Sequence, residues 1–460
     1  MKKLFSCILV LLLAVSLIGC TGTNVASETT SETTAEQAEP TAEATEETTS
    51  EPIELTMWTF LNPNGGTSAR ELALAQIIDN FEAANPNITI VTESIDYSLI
   101  PSQYLAAHVA GTAPDIIWMS FLEMGEVIRA GAMADLNTLL IDNWTDEQKA
   151  ELDDAFFQFG ATDTERYQLT FVRSADALIY RTDLFEAAGY TPPFKSWDEF
   201  IEACQAVTQD TDGDGEIDVW GFGQQFGSEK PISNVFISSM VDLQGGLFTE
   251  DGTPDWNNEN GVKSMQLATD MVTNYQITPS ASASYSQEDL IEGFCAGKYA
   301  VITAAASRYS TCVNNATFDS SCIRLCHFPS WEGDDFGKDI LSGWCVGIWS
   351  GSEKQEAAAK FIDYLFSVDS EKIWMEVGGQ PAMRASTAAE MADLLNQPGN
   401  EYLTTMTESF SKYGYARPWQ YTISGYDKLQ NEAAQRILLD GMDISESLGI
   451  SVDEFIKQNG

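Results

Sequence analysis

Histidine is almost absent from this chain: His108 and His327 are the only two among 460 residues. They lie far apart in sequence, which argues against a histidine-based catalytic triad. Basic residues are scarce too, with 24 lysines and arginines against 69 aspartates and glutamates and a formal charge of −45. A chain of that sign repels nucleic acid, whose binding depends on neutralising phosphates. It is equally unsuited to gripping anionic lipid through its surface. No nucleophile motif, zinc motif or phosphate-binding loop is present. Beyond the first twenty residues no stretch is long and apolar enough to span a bilayer, which takes about 20 apolar residues.

What is present begins with a leader. Lys2 and Lys3 are followed by the apolar run Leu4 to Ile18 and then Gly19-Cys20. A basic start, a short apolar core and a small residue before the cut describe an export signal, residues 1–19. Leu17-Ile18-Gly19-Cys20 resembles the bacterial lipoprotein box, which implies that Cys20 is lipidated and becomes the first residue. Two acyl chains give lasting attachment where one is marginal. Loss of the leader removes two lysines and takes the charge to −47. Residues 20–52 then read as a disordered tether rich in Thr, Ser, Glu and Ala, with too little apolar surface to offset the entropy of ordering.

The body from Ile53 is too long for one small core, so two domains are expected. Its six cysteines are Cys204, Cys295, Cys312, Cys322, Cys326 and Cys345. Export permits disulfides, and Cys312 with Cys322 is a candidate to close a short loop. Cys322 and Cys326 lie on one strand about 13 Å apart, too far for a bridge. With His327 their spacing fits no standard zinc pattern.

The body opens strand, helix, strand, helix, strand. The strands are Ile53 to Phe60, Ile88 to Glu93 and Asp115 to Met119. The helices are Ala69 to Ala84 and Tyr97 to Val109. That alternation implies parallel pairing with helices on the faces, and ligands of such sheets collect at the carboxyl ends of strands. Ser196 with Glu199 reads as a capping box for a helix to Val207. Further helices are expected at Leu290 to Ala296, Glu353 to Phe366 and Tyr426 to Leu438.

In this order the landmarks resemble the extracellular solute-binding proteins of carbohydrate importers, the maltose-binding-protein-like group. They run from Thr56-Met57-Trp58 through Gly111-Thr112-Ala113-Pro114-Asp115-Ile116, Tyr180-Arg181-Thr182-Asp183-Leu184-Phe185 and Ser196-Trp197-Asp198-Glu199-Phe200. Phe294 to Val301, Ala358 to Leu365 and Gly378-Gly379-Gln380-Pro381-Ala382 continue the series. Arg181 stands where the group usually has Asn, and Cys295, Tyr299 and Val301 also depart from it, at positions that are structural there.

The resemblance implies an α/β, two-lobed periplasmic-binding-protein-like fold of type II with hinge strands and an interlobe cleft. The lobes are expected at 53–170 plus 303–345 and at 171–302 plus 346–460. It also implies a monomer that is not an enzyme and requires no cofactor. Such a protein takes a carbohydrate and meets the permease of an ATP-binding-cassette importer. It sits on the outer face of the cell membrane, held only by its lipid, or on the periplasmic face of a double-membraned cell.

A sugar cleft needs aromatic faces for C–H patches beside carboxylates, amides and arginine for hydroxyls. The candidates are Trp58, Asn62, Asn64, Asp115, Trp118, Arg173, Asp176, Trp344, Arg384, Arg417 and Trp419. For each tryptophan the competing role is core packing, and for Asp115 it is a turn or cap after Pro114. Separately, Asp210, Asp212, Asp214, Glu216 and Asp218 alternate around Gly215 as in a calcium loop. The expected glutamate at position 12 is Gly221, so a structural Ca2+ would be weak or completed from elsewhere. Two rival functions remain: a binding protein for a non-sugar solute, and a surface glycosidase with paired carboxylates.

Overall fold

The computed structural model describes residues 51–152, 154–227 and 235–459. The leader, Cys20 and the tether up to residue 50 lie outside the described residues. The first elements follow the expected succession: β1 (Ile53–Thr59), α1 (Ala69–Ala84), β2 (Ile88–Ser94), α2 (Ile100–Ala110), β3 (Ile116–Ser120) and α3 (Phe121–Arg129). The long strand β4 (Leu169–Arg181) comes next, then α4 (Trp197–Val207), β5 (Trp220–Gly223), α5 (Glu259–Thr273), α6 (Gln287–Cys295), β6 (Tyr299–Ala305) and β7 (Ile323–Cys326). A second long strand, β8 (Asp339–Ile348), leads to α7 (Gln355–Leu365), α8 (Val368–Glu376), β9 (Gly414–Tyr415), α9 (Ile423–Asp440) and α10 (Ile444–Asn459).

Local chemistry explains the boundaries. The Glu71 carboxylate accepts from the Ser68 amide at 2.9 Å and fixes the start of α1. Ser196 caps α4 by accepting from the Glu199 amide at 3.2 Å, as its sequence position predicts. Gly111 ends α2 in the left-handed region at φ 71°, which a Cβ disfavours.

The strands pair in the order β2-β1-β3-β8-β4-β6-β5, with β7 on β4 and β9 on β8. β1 runs parallel to β2 from Ile53↔Ile88 to Thr59↔Ser94, and parallel to β3 at Met57↔Ile116. The first part of β4 pairs antiparallel with β8, from Leu169↔Val346 to Asp176↔Ile340. Its second part pairs with β6 and β7. Thus β4 and β8 carry the chain between two halves.

The halves divide differently from the sequence expectation. β6 and β7, inside 303–345 or at its edge, lie on the second part of β4. Helices α7 and α8, inside 346–460, bury Phe361, Ile362 and Trp374 in the core of Leu55, Phe81 and Ile116 with the first half. α9 packs on α10 and α5 in the second half. The apolar runs were legible as elements, but pairing is set by tertiary fit, and β8 returns the chain to the first half instead of leaving it. The six body cysteines are free, five buried and Cys322 half-buried, so the Cys312–Cys322 loop closure is absent.

Candidate functional site

The carboxyl ends of β1 and β3 meet the middle of the sheet at an aromatic group. Ser120, the last residue of β3, lies opposite Trp344 on β8. Phe60, just past β1, stacks on Trp344 with ring centres 3.7 Å apart and 27° between planes. Tyr97 meets Trp344 edge-on at 6.0 Å and keeps 44% of its surface exposed. Trp58 is half-buried and edge-on to Tyr104 at 6.5 Å. Asn62 and Asn64 are exposed in the loop after β1, and Asn64 Nδ2 donates to Thr92 Oγ1 at 2.8 Å.

Asp176 sits on β4 four residues beyond Val172, the partner of Trp344, or about 13 Å along the strand. Strand alternation puts it on the same sheet face as Trp344. Buried Arg417 feels the charge of Asp176 and ion-pairs with Asp427 of α9. Burial pulls the Arg417 guanidinium down, but Asp427, Tyr426 and Asp176 outweigh it and the net shift is upward. Glu123 of α3 accepts from Ser424 Oγ at 2.8 Å. Burial, with repulsion from Glu126 and Asp427, holds its pKa above the ordinary carboxylate range. Asp427 is likewise pushed up by burial, against the pull of Arg417. One guanidinium and three carboxylates from both halves therefore communicate electrostatically.

Four sequence candidates have structural roles instead. Trp118 is wholly buried between Phe60, Phe171 and Trp374. Asp115 lies at the amino end of β3, away from the carboxyl edge. Its carboxylate accepts from the Thr56 amide and hydroxyl at 2.9 and 3.0 Å, from Ser352 at 2.7 Å and from Lys354 at 3.2 Å. Arg173 points away from the Trp344 face of β4 and ion-pairs with Asp154 at 2.5 Å. Arg384 is buried against Glu371 at 2.5 Å. Sequence showed their residue types but not which neighbours would consume them. Trp419 is half-buried against the core, in the segment that leads into α9.

The sequence analysis missed Glu123, Tyr426, Asp427 and Gln430. Asp427 Oδ1, the Tyr426 hydroxyl and both amide ends of Gln430 are buried without hydrogen-bond partners among the described residues. Their spacing at 426, 427 and 430 puts them on adjoining positions of one helix surface. That was the available signal, but the sequence marks Tyr426 to Leu438 only as a helix and does not show what its polar residues face.

In the acidic loop, carboxylate oxygens of Asp210, Asp212 and Asp218 lie within 4.8 Å of one another. Asp214 and Glu216 are not in that group. Asp210 accepts from the Gly213 and Gly215 amides at 2.6 and 2.9 Å, and these bonds lower its pKa. Both glycines take positive φ, 80° and 96°, so the sharp turn needs them.

A serine, a histidine and an aspartate do meet elsewhere, but not as a nucleophile and its base. His327 Nδ1 lies 2.6 Å from Asp339 Oδ2, and Ser409 Oγ crowds the same nitrogen at 3.4 Å while donating to Asp339 at 2.6 Å. Nε2 faces Glu408 at 3.3 Å. A hydrolytic serine needs Nε2, with the carboxylate on Nδ1. The group is a buried clasp at the start of β8.

Comparison with known proteins places these features in context. The sequence profile of the family described as bacterial extracellular solute-binding protein matches residues 62–372. The arabinooligosaccharide-binding protein of Bacillus subtilis is 22% identical over 393 residues, covering 83% of this chain and 81% of that one. An ABC substrate-binding protein of Listeria monocytogenes, in complex with cycloalternan, superimposes with a TM-score of 0.72 at 21% identity, covering 89% of this chain and 99% of that one. A maltose/maltodextrin-binding domain of Bdellovibrio bacteriovorus, bound to maltotriose, gives 0.69 at 18% identity, with 88% and 100% covered. These two structures share the fold.

Proposed function

This chain belongs to the bacterial extracellular solute-binding protein family, and on that premise we propose that it captures a sugar or short oligosaccharide and delivers it to the permease of an ATP-binding-cassette importer. The observation that carries the reading is the Phe60–Trp344–Tyr97 group at the carboxyl ends of β1 and β3. It lies on the face of the sheet that also holds Asp176 on β4. Aromatic faces cover the C–H patches of a sugar, and ionised groups take its hydroxyls in charge-assisted bonds. The B. subtilis relative is by name an arabinooligosaccharide-binding protein, and the L. monocytogenes and B. bacteriovorus structures hold cycloalternan and maltotriose. Trp58, Asn62, Asn64, Asp176, Trp344, Arg417 and Trp419 remain the proposed contacts, joined by Tyr97, Glu123, Asp427 and Gln430.

The anchoring belongs to the same proposal. Cys20 carries the lipid, residues 20–52 tether the body, and no helix among the described residues is long and apolar enough to cross a membrane. Asp210, Asp212 and Asp218 hold a structural Ca2+ with no part in transport chemistry. The protein acts as a monomer and as a receptor, not as an enzyme.

Calorimetric titration with a panel of mono- and oligosaccharides tests the central claim. Micromolar binding to one class, weakened at least tenfold by Trp344→Ala, is the expected outcome. Full-panel silence from a folded protein would remove the carbohydrate and leave a non-sugar solute.

A further inference from the structure

Arg70 is the second residue of α1, where the positive end of the helix disfavours a cation. It is half-buried, and among the described residues it makes no ion pair. Its guanidinium carbon lies over the Phe60 ring, 5.5 Å from the ring centre. The adjacent carboxylate, Glu71, is taken up by the start of its own helix. It accepts from the Asn62 amide at 3.1 Å and from the Ser68 amide and hydroxyl at 2.9 and 2.7 Å. Because Phe60 stacks on Trp344, Arg70 borders the aromatic group of the proposed sugar site.

A second arginine reaches the same place from the other half. The Ser307 amide donates to Ser174 Oγ at 3.2 Å. Ser174 lies two residues beyond Val172, the partner of Trp344, and shares the face of β4 that holds Asp176. The next residue, Arg308, ends the short turn Ala306–Arg308 that follows β6. One of its terminal nitrogens pairs with Glu288 of α6, but its Nε is buried without a hydrogen-bond partner among the described residues. The two guanidiniums feel each other. Burial first, then the Arg308 charge, pull the Arg70 pKa down, against the opposing charge of Glu71. In a chain with 69 acids for 24 lysines and arginines, this is a local shortage of carboxylate. Like charges held together out of water are unfavourable until an anion joins them, and the planar fork of a guanidinium matches a carboxylate.

We infer that Arg70 and Arg308 bind the carboxylate of an acidic sugar, so that the solute is a uronic acid or an oligosaccharide that contains one. The inference rests on the sugar-capture reading and adds the charge of the ring seated against Phe60 and Trp344. A singly charged carboxylate suits the place better than a phosphate ester, because Asp176 on the same face repels each added negative charge.

The test is calorimetric titration of the full-length chain with matched saccharides. Oligogalacturonides are set against galacto-oligosaccharides, and glucuronate-bearing against plain xylo-oligosaccharides, with a sugar phosphate and a sugar sulfate alongside. The expected result is that the uronate of a pair binds at least about tenfold more tightly than its neutral counterpart. Arg70→Ala should remove most of that preference, and Arg70→Lys, which keeps the charge without the fork, should retain part of it. A neutral member that binds as tightly as its uronate overturns the inference and leaves sugar capture standing. So does tighter binding of the phosphate or the sulfate, or a preference that survives both Arg70→Ala and Arg308→Ala. Silence from every acidic and neutral member sinks sugar capture itself, and the inference with it. If Arg70→Ala does not fold by circular dichroism, Arg70→Gln and Arg308→Ala take its place.

Discussion

Glu371 and Asp427 are both buried carboxylates that face an arginine, one in each half of the molecule, and their surroundings differ. Glu371 of α8 is fully used: Oε1 accepts from the Met383 and Arg384 amides at 2.6 and 2.9 Å, and Oε2 pairs with Arg384. Asp427 of α9 pairs with Arg417 through one oxygen only. Its other oxygen, like the Tyr426 hydroxyl and the Gln430 amide, has no partner among the described residues. Buried polar groups of folded proteins are nearly all paired, with protein or with water. The Glu371 pair is thus closed within the scaffold, whereas the Asp427 group has hydrogen-bonding capacity left over, which is what the proposed solute site would use.

The largest effect expected from this contrast is on stability. Glu371→Ala leaves Arg384 buried opposite no carboxylate at that position and should cost about 3–5 kcal/mol in urea unfolding. Asp427→Ala should cost distinctly less, because its site was only half satisfied. Equal losses would mean that both carboxylates are scaffold and would end the distinction.

His327 offers an intermediate case. Burial lowers its pKa, but Asp339 and Glu408 outweigh it, so the net shift is upward. A histidine with a raised folded pKa contributes stability that is fully present below its unfolded value of about 6.5. That contribution is lost as pH rises through the folded value. His327→Gln should therefore cost about 2 kcal/mol at pH 6 and progressively less above pH 7, read from denaturation midpoints across that range. A pH-independent cost would show that the clasp acts by packing alone.

The degree to which these roles could be read from sequence follows the range of the interaction. The first five elements were legible because hydrophobic period and the Asn85-Pro86 break act within a few residues, and the start of α4 because Ser196 does. Trp344 stood out as a candidate because Ser342-Gly343 reads as a glycine turn before a hinge strand, whereas both residues lie inside β8. Trp118 was not distinguishable from it, since only the fold decides that Phe171 and Trp374 surround one tryptophan and Tyr97 borders the other. Arg173, Arg384 and Arg417 look alike as residue types. Their carboxylate partners lie 10 to 19 residues away in sequence, and nothing local announces which pair is closed and which remains open. The division of halves was illegible for the same reason: nothing local announces that β8 pairs with β3 and β4.

A smaller effect sharpens the open half. Gln430→Ala removes an amide that has no partner among the described residues, so unfolding should shift by less than about 1 kcal/mol, in either direction. Affinity for the sugar identified by titration should nevertheless fall about tenfold, the weight of one well-placed hydrogen bond. Loss of stability without loss of affinity would reassign Gln430 to the scaffold and the unpaired atoms to water.

The smallest effect concerns a third kind of acidic group, one that is exposed. Asp210, Asp212 and Asp218 converge in the loop before β5, and all three already accept backbone amides, from Gly213 and Gly215 to Asp210, from Asp214 to Asp212 and from Thr211 to Asp218. Those bonds prearrange the oxygens; the Gly215 and Gly213 amides depress the pKa of Asp210, and the Thr211 hydroxyl and amide that of Asp218, so these two carboxylates are charged at neutral pH and repel one another. A divalent ion would relieve that repulsion, but the twelfth position of the loop is Gly221, whose Cβ would meet the Cys204 carbonyl oxygen at 2.1 Å. No bidentate glutamate fits there, so binding should be weak and its stabilisation small. Millimolar calcium should raise the melting temperature by about 2 °C, magnesium less, and Asp210→Asn should abolish the difference. A calcium shift that survives Asp210→Asn would move the ion away from this loop, and the exposed acids would then serve, as in the rest of this strongly anionic chain, only to keep the surface charged.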